Sequence, residues 1–167
     1  MSVRAARSLG SGAVSDSRSA LAAWILIVLT VVSALPAAAS PMLEPLAIVT
    51  QGGQRHAFKV EVARNDADRA QGLMFRRSMP PDWGMLFDFG RVEPVSMWMK
   101  NTYLPLDMLF IRPDGSIARI AANAEPLSTR AIPSGEPVLA VLELNAGTAA
   151  RLGIRAGDRV EHPLFKS

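Results

Sequence analysis

The sequence predicts an α+β domain of mostly antiparallel strands, arranged as a compact barrel-like sheet with two short helices. Short β-prone runs recur between residues 46 and 162 with Gly, Pro or Asp turns between them. These runs lack the strand–helix–strand alternation that a parallel sheet requires. The 167 residues include no cysteine. A hydrophobic core must therefore stabilise the domain without disulfides, and thiol catalysis and zinc–thiolate sites are excluded.

The N-terminal segment has the pattern of a secretory signal. Three arginines precede the apolar run of residues 21–35, and small alanines precede Ser40 at the positions that signal peptidases require. We therefore expect residues 1–39 to be removed before Ser40, and the mature protein to be periplasmic or extracellular. The alternative is an uncleaved anchor, because residues 20–39 are about as long as a bilayer is thick. The helix-breaking Pro36 argues against that alternative.

The remaining residues 40–167 have the length of a single domain. Removing the signal takes away three arginines and Asp16, which leaves 15 basic against 14 acidic residues. Among the basic residues, only Arg76 and Arg77 are adjacent. A nucleic-acid partner usually needs a clustered basic face, so we expect none. Membrane contact is expected only through the N-terminal segment, if that segment is retained.

The first half of the domain predicts a hairpin, a helix and three strands. Residues 46–50 and 57–63 read as strands joined by a turn, and the second run alternates apolar and polar residues. Asn65 or Asp66 can cap a helix that ends by Pro80-Pro81. Further strands are predicted over residues 84–89, 95–99 and 106–112.

The second half predicts two more strands, a long loop, a short helix and a final strand. A turn at residues 113–115 leads into a strand at 116–121, and residues 122–137 form a loop without periodicity. Loops of this length are usually functional or mobile. The remaining elements are a buried strand at 138–144, a helix at 149–152 capped by Thr148 and stopped by Gly153, and a strand at 159–162.

Four blocks resemble one known family in order and spacing. They are RAQGLMFRRSMPPDWGMLFDF (69–89), VSMWMKNTYLPLDMLFI (95–111), ANAEPLSTRAIPSGEPVLAVLELNAGTAARLGI (122–154) and AGDRV (156–160). The family they resemble is DUF192, a group of small, often exported prokaryotic proteins, and the resemblance covers residues 46–164. It implies a single DUF192-like domain over residues 40–167 with a compact β-rich fold. It carries over no catalytic residue, cofactor or substrate.

The stretch SMWMKNTYLPLD, residues 96–107, predicts a polar corner. Pro105 bends the chain between Lys100 and Asp107, so the two side chains can approach each other. In the structural interpretation, Asp107 accepts backbone N–H bonds or pairs with Lys100, and Asn101 also holds the turn. In the functional interpretation, Lys100 and Asn101 donate hydrogen bonds to an anionic or carbonyl-bearing ligand.

The leading hypothesis is a non-catalytic ligand-binding or accessory module. Its site combines Trp98, Lys100, Asn101 and Asp107 with Arg130 of the long loop. The sequence has no recognisable nucleophile motif or phosphate-binding loop, and its two histidines do not suggest a metal site. We therefore assign no catalytic residue, metal ligand or cofactor, and expect a small molecule or a protein as partner.

Two alternatives remain open. The first is an acid/base hydrolase or transferase that uses Asp107 or Glu143; if Glu143 faces the core, Arg151 or Arg119 is its expected partner. The second is Cu(I) handling through Met97 and Met99, because thioethers are the soft ligands available without cysteine. Methionine is also ordinary core filler.

Overall fold

A computed structural model describes residues 42–165. The predicted signal segment, residues 1–39, lies outside this range. The described chain forms one curled sheet of seven strands with two short helices, which confirms the predicted fold class. No helix of residues 42–165 combines the length and the apolar character needed to cross a bilayer. The elements are β1 (Glu44–Val49), β2 (Arg55–Ala63), α1 (Asp66–Gln71), β3 (Trp83–Met97), β4 (Leu106–Ile111), β5 (Ile117–Ala124), β6 (Ile132–Asn145), α2 (Thr148–Leu152) and β7 (Arg159–Glu161).

The strands follow the order β5-β4-β6-β3-β2-β1-β7 across the sheet. The two edges approach each other at one end, where Ser116 forms a bridge with Arg159. There the backbone N–H of Val160 donates to the carbonyl of Gly115 at 2.8 Å, and that of Ile117 donates to Asp158 at 2.8 Å. The sheet therefore curls far enough for its edge strands to share hydrogen bonds.

One strand pair differs from the expected antiparallel pattern. β2 pairs with β3 in parallel, and α1 connects them. The helix is only six residues long and none of its residues is buried. Its periodicity was therefore too weak to reveal a β–α–β unit. Asn65 caps it as predicted, since its side-chain oxygen accepts the N–H of Asp68 at 2.8 Å.

Two predicted boundaries were wrong because strands continue through irregular sequence. Residues 84–89 and 95–99 contribute to a single 15-residue strand, β3, whose register with β6 shifts between Asp88 and Glu93. The long loop predicted at residues 122–137 shrinks to residues 125–131, because β5 and β6 extend into it. Ser134 supports this irregular start of β6, since its hydroxyl accepts from the N–H of Val95 at 3.0 Å.

The sheet buries a separate apolar cluster on each face. The inner cluster fills the curl and includes Ile48, Val60, Leu86, Leu109 and Leu142. The outer cluster includes Leu73, Phe87, Met99, Met108 and Phe110. Complete burial of such side chains stabilises the fold by roughly 1.5–3 kcal/mol each. Two cores on opposite faces explain why strands β4 and β6 are so strongly apolar.

Three connecting segments cover the outer cluster. Residues 98–105 connect β3 to β4, and residues 125–131 connect β5 to β6. The two segments start and end beside each other, because Met97 pairs with Ile132 and Leu106 pairs with Ala124. The N–H of Met99 donates to Ser128 at 3.0 Å, and that of Leu127 donates to Thr102 at 3.1 Å. Residues 72–79 join them through the N–H of Phe75, which donates to Asn101 at 2.9 Å. We call residues 72–79, 98–105 and 125–131 the loop layer.

Helix α2 ends as the sequence predicted but begins with a different cap. Gly153 ends the helix in the left-handed conformation, and the buried Ile154 donates its N–H to Ala149 at 2.9 Å, as the predicted stop requires. Gly147, rather than the predicted Thr148, occupies the N-cap position. Thr148 is instead the buried first residue of the helix.

Candidate functional site

Glu143 lies at the bottom of a cleft on the outer face of the sheet. It sits in β6 between Met85 of β3 and Met108 of β4, so its side chain faces the outer cluster. Only 4% of its surface is exposed. The expected partners Arg119 and Arg151 do not pair with it. Arg119 instead stacks over Phe110, with its guanidinium carbon 5.5 Å from the ring centroid.

The surroundings keep the Glu143 carboxyl neutral. Within residues 42–165, the structure shows no hydrogen bond or ion pair to this side chain. Its oxygens are not among the fully enclosed polar atoms that lack a partner, because the side chain lines the cleft. Burial raises its pKa to about 8, because the charged form would lose its hydration without gaining a compensating partner. At neutral pH the group is therefore predominantly a carboxylic acid, which can donate one hydrogen bond and accept others.

The cleft above Glu143 has a volume of about 280 Å³. Apolar and thioether side chains form most of its walls, and they include Leu73, Met74, Phe87 and Met97. The polar side chains of Gln71, Ser96 and Thr102 also line it. Gly72 makes the close packing possible, because a Cβ at that position would lie 3.0 Å from the ring of Phe87. The cleft therefore combines a largely apolar lining with a single acidic group.

The mouth of the cleft carries a cation that has no carboxylate partner among the described residues. Lys100 and the exposed Trp98 both line the cleft, and the Lys100 Nζ lies 5.3 Å from the Trp98 ring centroid. Arg69 also lines the cleft, but its guanidinium is engaged with Asp66 and with the carbonyl of Asp88 at 2.7 Å. Lys100 is thus the more available positive charge for a ligand.

Asp107 lies on the other face of the sheet. Asp107 pairs with Leu144 in the β4–β6 register, whereas Glu143 pairs with Met108, so the two acidic side chains point in opposite directions. The Asp107 carboxylate is fully buried and accepts three backbone N–H groups. The donors and distances are Asn123 at 2.9 Å, Gly147 at 3.2 Å and Ala149 at 2.9 Å.

These contacts give Asp107 the structural role that the sequence left open. It ties the end of β5 to the start of α2 and satisfies N–H groups that a helix start leaves free. Of the two structural alternatives, Asp107 accepts backbone N–H groups and does not pair with Lys100. Because the sheet separates Asp107 from Glu143, the two carboxyl groups cannot act on one substrate.

The other predicted residues divide between the cleft and its surroundings. Asn101 borders the cleft through Met74, whose sulfur lies 3.8 Å from the Asn101 amide nitrogen. Arg130 is exposed in the loop layer and does not line the cleft. Met97 is half-buried and lines the cleft, whereas Met99 is fully buried in the outer cluster. The predicted site is therefore only partly assembled, around Trp98 and Lys100.

Sequence reasoning missed the walls of the cleft and the burial of its acid. Leu73 and Met74 lie just beyond α1, while Phe87 belongs to β3, so only the folded chain brings them together. One local signal was present. Glu143 is the only charged residue in the apolar run VLAVLEL, and an unpaired acid in a buried strand is unusual.

Solved structures share this fold, among them the following two proteins. A Sinorhizobium meliloti 1021 protein described as a candidate transcription regulator is 56% identical, with a TM-score of 0.74, and the match covers 75% of this chain and 98% of that chain. A protein of unknown function from Novosphingobium aromaticivorans DSM 12444 is 41% identical, with a TM-score of 0.71, over 77% of this chain and 91% of that chain. No curated protein matches the sequence.

The sequence itself matches one family model. The model is DUF192, described as Uncharacterized ACR, and it covers residues 47–162. This range contains every strand except the first residues of β1, together with Glu143 and the whole loop layer. The chain belongs to the DUF192 family.

Proposed function

We propose that this protein is an exported, non-catalytic binding module that holds a small organic ligand over Glu143. One observation carries the proposal: a neutral, buried carboxyl without a partner in the described chain faces an apolar cleft with Lys100 at its mouth. A buried polar group without a hydrogen bond costs free energy, so a ligand that supplies the missing bond gains affinity.

The cleft favours a ligand with a defined chemistry. Its volume of about 280 Å³ lies at the small end of ligand pockets. The walls around Leu73 and Phe87 accept an aliphatic or aromatic body. Glu143 can donate its O–H to a carbonyl or carboxylate oxygen, and Lys100 can pair with an anionic group. We therefore expect a small carbonyl compound or organic acid.

The absence of a second reacting group supports binding rather than catalysis. Among the described residues that line the cleft, Glu143 carries the only carboxyl group, and no histidine is present. Asp107 is occupied by three backbone groups on the opposite face. No group of three or more His, Cys, Asp or Glu within residues 42–165 could hold a metal ion. General acid/base chemistry usually needs a second positioned group.

A ligand screen tests the binding proposal. Small organic acids and carbonyl compounds are added to the protein, and the melting temperature is followed, because binding to the folded state raises it. Glu143→Gln should retain the ligand-induced rise, because a neutral amide also donates a hydrogen bond. Glu143→Leu should lose it.

Lys100→Ala should weaken the effect of anionic ligands, while Arg151→Ala provides a control at an exposed basic residue outside the cleft. The proposed site is wrong if no ligand raises the melting temperature of the unmodified protein. It is also wrong if ligands raise the melting temperature of Glu143→Leu as much as that of the unmodified protein.

The raised pKa of Glu143 favours one second candidate, a general acid/base enzyme. A carboxyl that titrates near neutral pH can both donate and accept a proton. The Glu143→Gln variant separates the two functions, because it preserves binding but cannot transfer a proton. Turnover that disappears in this variant while ligand binding persists would establish catalysis.

Export is tested separately from binding. The N-terminal pattern predicts a mature protein that begins at Ser40 and is found outside the cytoplasm. N-terminal sequencing of the protein from a fractionated bacterial culture gives the cleavage point and the compartment. An intact N-terminus in the membrane fraction would instead support the anchored form.

A further inference from the structure

Large apolar side chains are exposed together on the loop layer. Within residues 42–165, six large apolar residues are exposed, and four of them lie in this layer. These four, which we call the aromatic patch, are Phe75, Trp98, Tyr103 and Leu127. The ring centroids of Phe75 and Tyr103 are 6.3 Å apart in an edge-to-face arrangement. An exposed apolar cluster on a soluble domain usually marks an interaction surface.

The backbone holds two patch residues outward in an unusual conformation. Phe75 has φ 65° and Leu127 has φ 63°, values in the left-handed region that bulky residues rarely adopt. Their N–H groups are fixed by bonds to Asn101 and Thr102, at 2.9 and 3.1 Å. Strained backbone that presents apolar side chains to solvent points to function rather than to packing.

Positive charges accompany the patch. Arg77 lies 5.5 Å from the Tyr103 ring centroid, and Lys100 stacks over Trp98. The loop layer contains four basic residues and one acidic residue, Glu125. Arg76 is paired with Glu61, whereas Arg77, Lys100 and Arg130 form no ion pair with any described residue. The surface therefore complements a partner that is both negatively charged and able to accept apolar side chains.

We infer that the aromatic patch docks onto an anionic lipid bilayer. Aromatic side chains favour the interface between water and hydrocarbon, and adjacent Lys and Arg residues bind anionic headgroups. A second copy of the chain is a poorer occupant, because a symmetric contact would bring two positive patches together. Duplex DNA would supply the negative charge but not an environment for Phe75 and Leu127. A bilayer supplies both.

This inference goes beyond the proposed function and does not depend on the cleft. The predicted signal segment would deliver the domain to the far side of a membrane, where a bilayer surface lies close by. Trp98 and Lys100 belong both to the cleft mouth and to the loop layer. Docking would therefore bring the mouth of the cleft to the lipid surface.

The test uses residues 40–167, which avoids binding through the apolar N-terminal segment. This region can be studied alone, because the S. meliloti protein of 56% identity matches it over 98% of its own chain. The protein is sedimented with vesicles of phosphatidylglycerol and phosphatidylcholine, and with phosphatidylcholine vesicles as the neutral comparison. In a Trp83→Phe background, Trp98 is the only tryptophan of this fragment. Its emission should shift to the blue with the anionic vesicles, and added salt should weaken binding.

Paired variants separate charge from apolar contact. Arg77→Gln/Arg130→Gln should lower partitioning by about 25-fold, since each basic residue near an anionic surface contributes about 1 kcal/mol, or about fivefold. Phe75→Asn/Leu127→Asn should lower it by about 100-fold, the lower end for burying two large apolar side chains, and asparagine tolerates the left-handed conformation at both positions. The matched controls, Arg151→Gln/Arg155→Gln and Val92→Asn, alter exposed residues outside the patch and should bind like the unmodified protein.

Each contrary result overturns the inference. One is the absence of binding to anionic vesicles, and another is binding that the patch variants leave unchanged. Self-association that the patch variants abolish, without vesicle binding, would assign the patch to a dimer. Tighter binding to duplex DNA than to the vesicles would assign it to nucleic acid.

Discussion

The buried acid predicts a large and unusual dependence of stability on pH. Glu143 ionises near 4.5 when exposed, and burial raises its pKa to about 8 in the folded protein. The folded state therefore binds the proton more tightly than the unfolded state between these values. Stability from this group is fully present below pH 4.5 and is lost as the pH rises to about 8. Between pH 5 and 8, the loss should be about 3.5 kcal/mol.

Glu143→Gln isolates this effect. Glutamine has almost the same shape and does not ionise, so its stability lacks the Glu143 contribution at every pH. Other groups titrate equally in both proteins. One of them is His162, whose pKa is lowered mainly by burial. Its contribution to stability is present above its unfolded pKa and is lost as the pH falls through its lower folded pKa. The difference in unfolding free energy between the two proteins removes such background terms.

Urea unfolding of residues 40–167 at several pH values measures this difference. Relative to the unmodified protein, Glu143→Gln should gain about 3.5 kcal/mol of stability between pH 5 and pH 8. A difference that stays constant over this range would show that Glu143 is ionised in the folded state, and the reasoning about its burial would be refuted.

Three further predictions test the surrounding structure. Asp107→Ala should lower the unfolding free energy by about 3 kcal/mol or more, because it leaves three backbone donors without an acceptor; a loss below ~1 kcal/mol in urea unfolding would contradict this role. Gly72→Ala should lower the unfolding free energy by about 2–4 kcal/mol, because the added Cβ would meet Phe87. Gly53 also has a positive φ, but an added Cβ there would have no atom within 4 Å, so Gly53→Ala should lower it by about 1–2 kcal/mol. Equal losses in the two variants would show that packing against Phe87 does not matter. Titration with Cu(I) should show no tight uptake through Met97 and Met99, because Met99 is fully buried; uptake abolished by replacing both with leucine would restore the copper hypothesis.

Local rules predicted much of the fold, because turns and helix stops are written in short stretches of sequence. Gly153 and Ile154 form the predicted helix stop, and Asn65 forms the predicted cap. The parallel pairing of β2 with β3 was missed, because it depends on how a short helix packs rather than on any local pattern. The irregular start of β6 was missed for a related reason: its prolines and Gly135 conceal the strand period.

The site was harder to predict than the fold, because it depends on strand register. Asp107 and Glu143 are both single acids in apolar strands, and nothing in either strand alone says which face each side chain occupies. The pairing of Asp107 with Leu144 in the β4–β6 register determines the face of the sheet that each acidic side chain occupies. It turns Asp107 towards the start of α2 and Glu143 towards the cleft. Trp98 and Lys100 could be chosen from sequence because they flank a turn, where exposed side chains are common.

The titration of Glu143 itself tests the proposed binding site most directly. The carboxyl carbon of Glu143 can be followed by carbon-13 NMR in residues 40–167, with Glu143→Gln to assign the signal. The carboxyl should be neutral at pH 7 and titrate with a midpoint at about 8. A midpoint near 4.5, the ordinary value for glutamate, would contradict the neutral buried acid on which the proposed binding site rests.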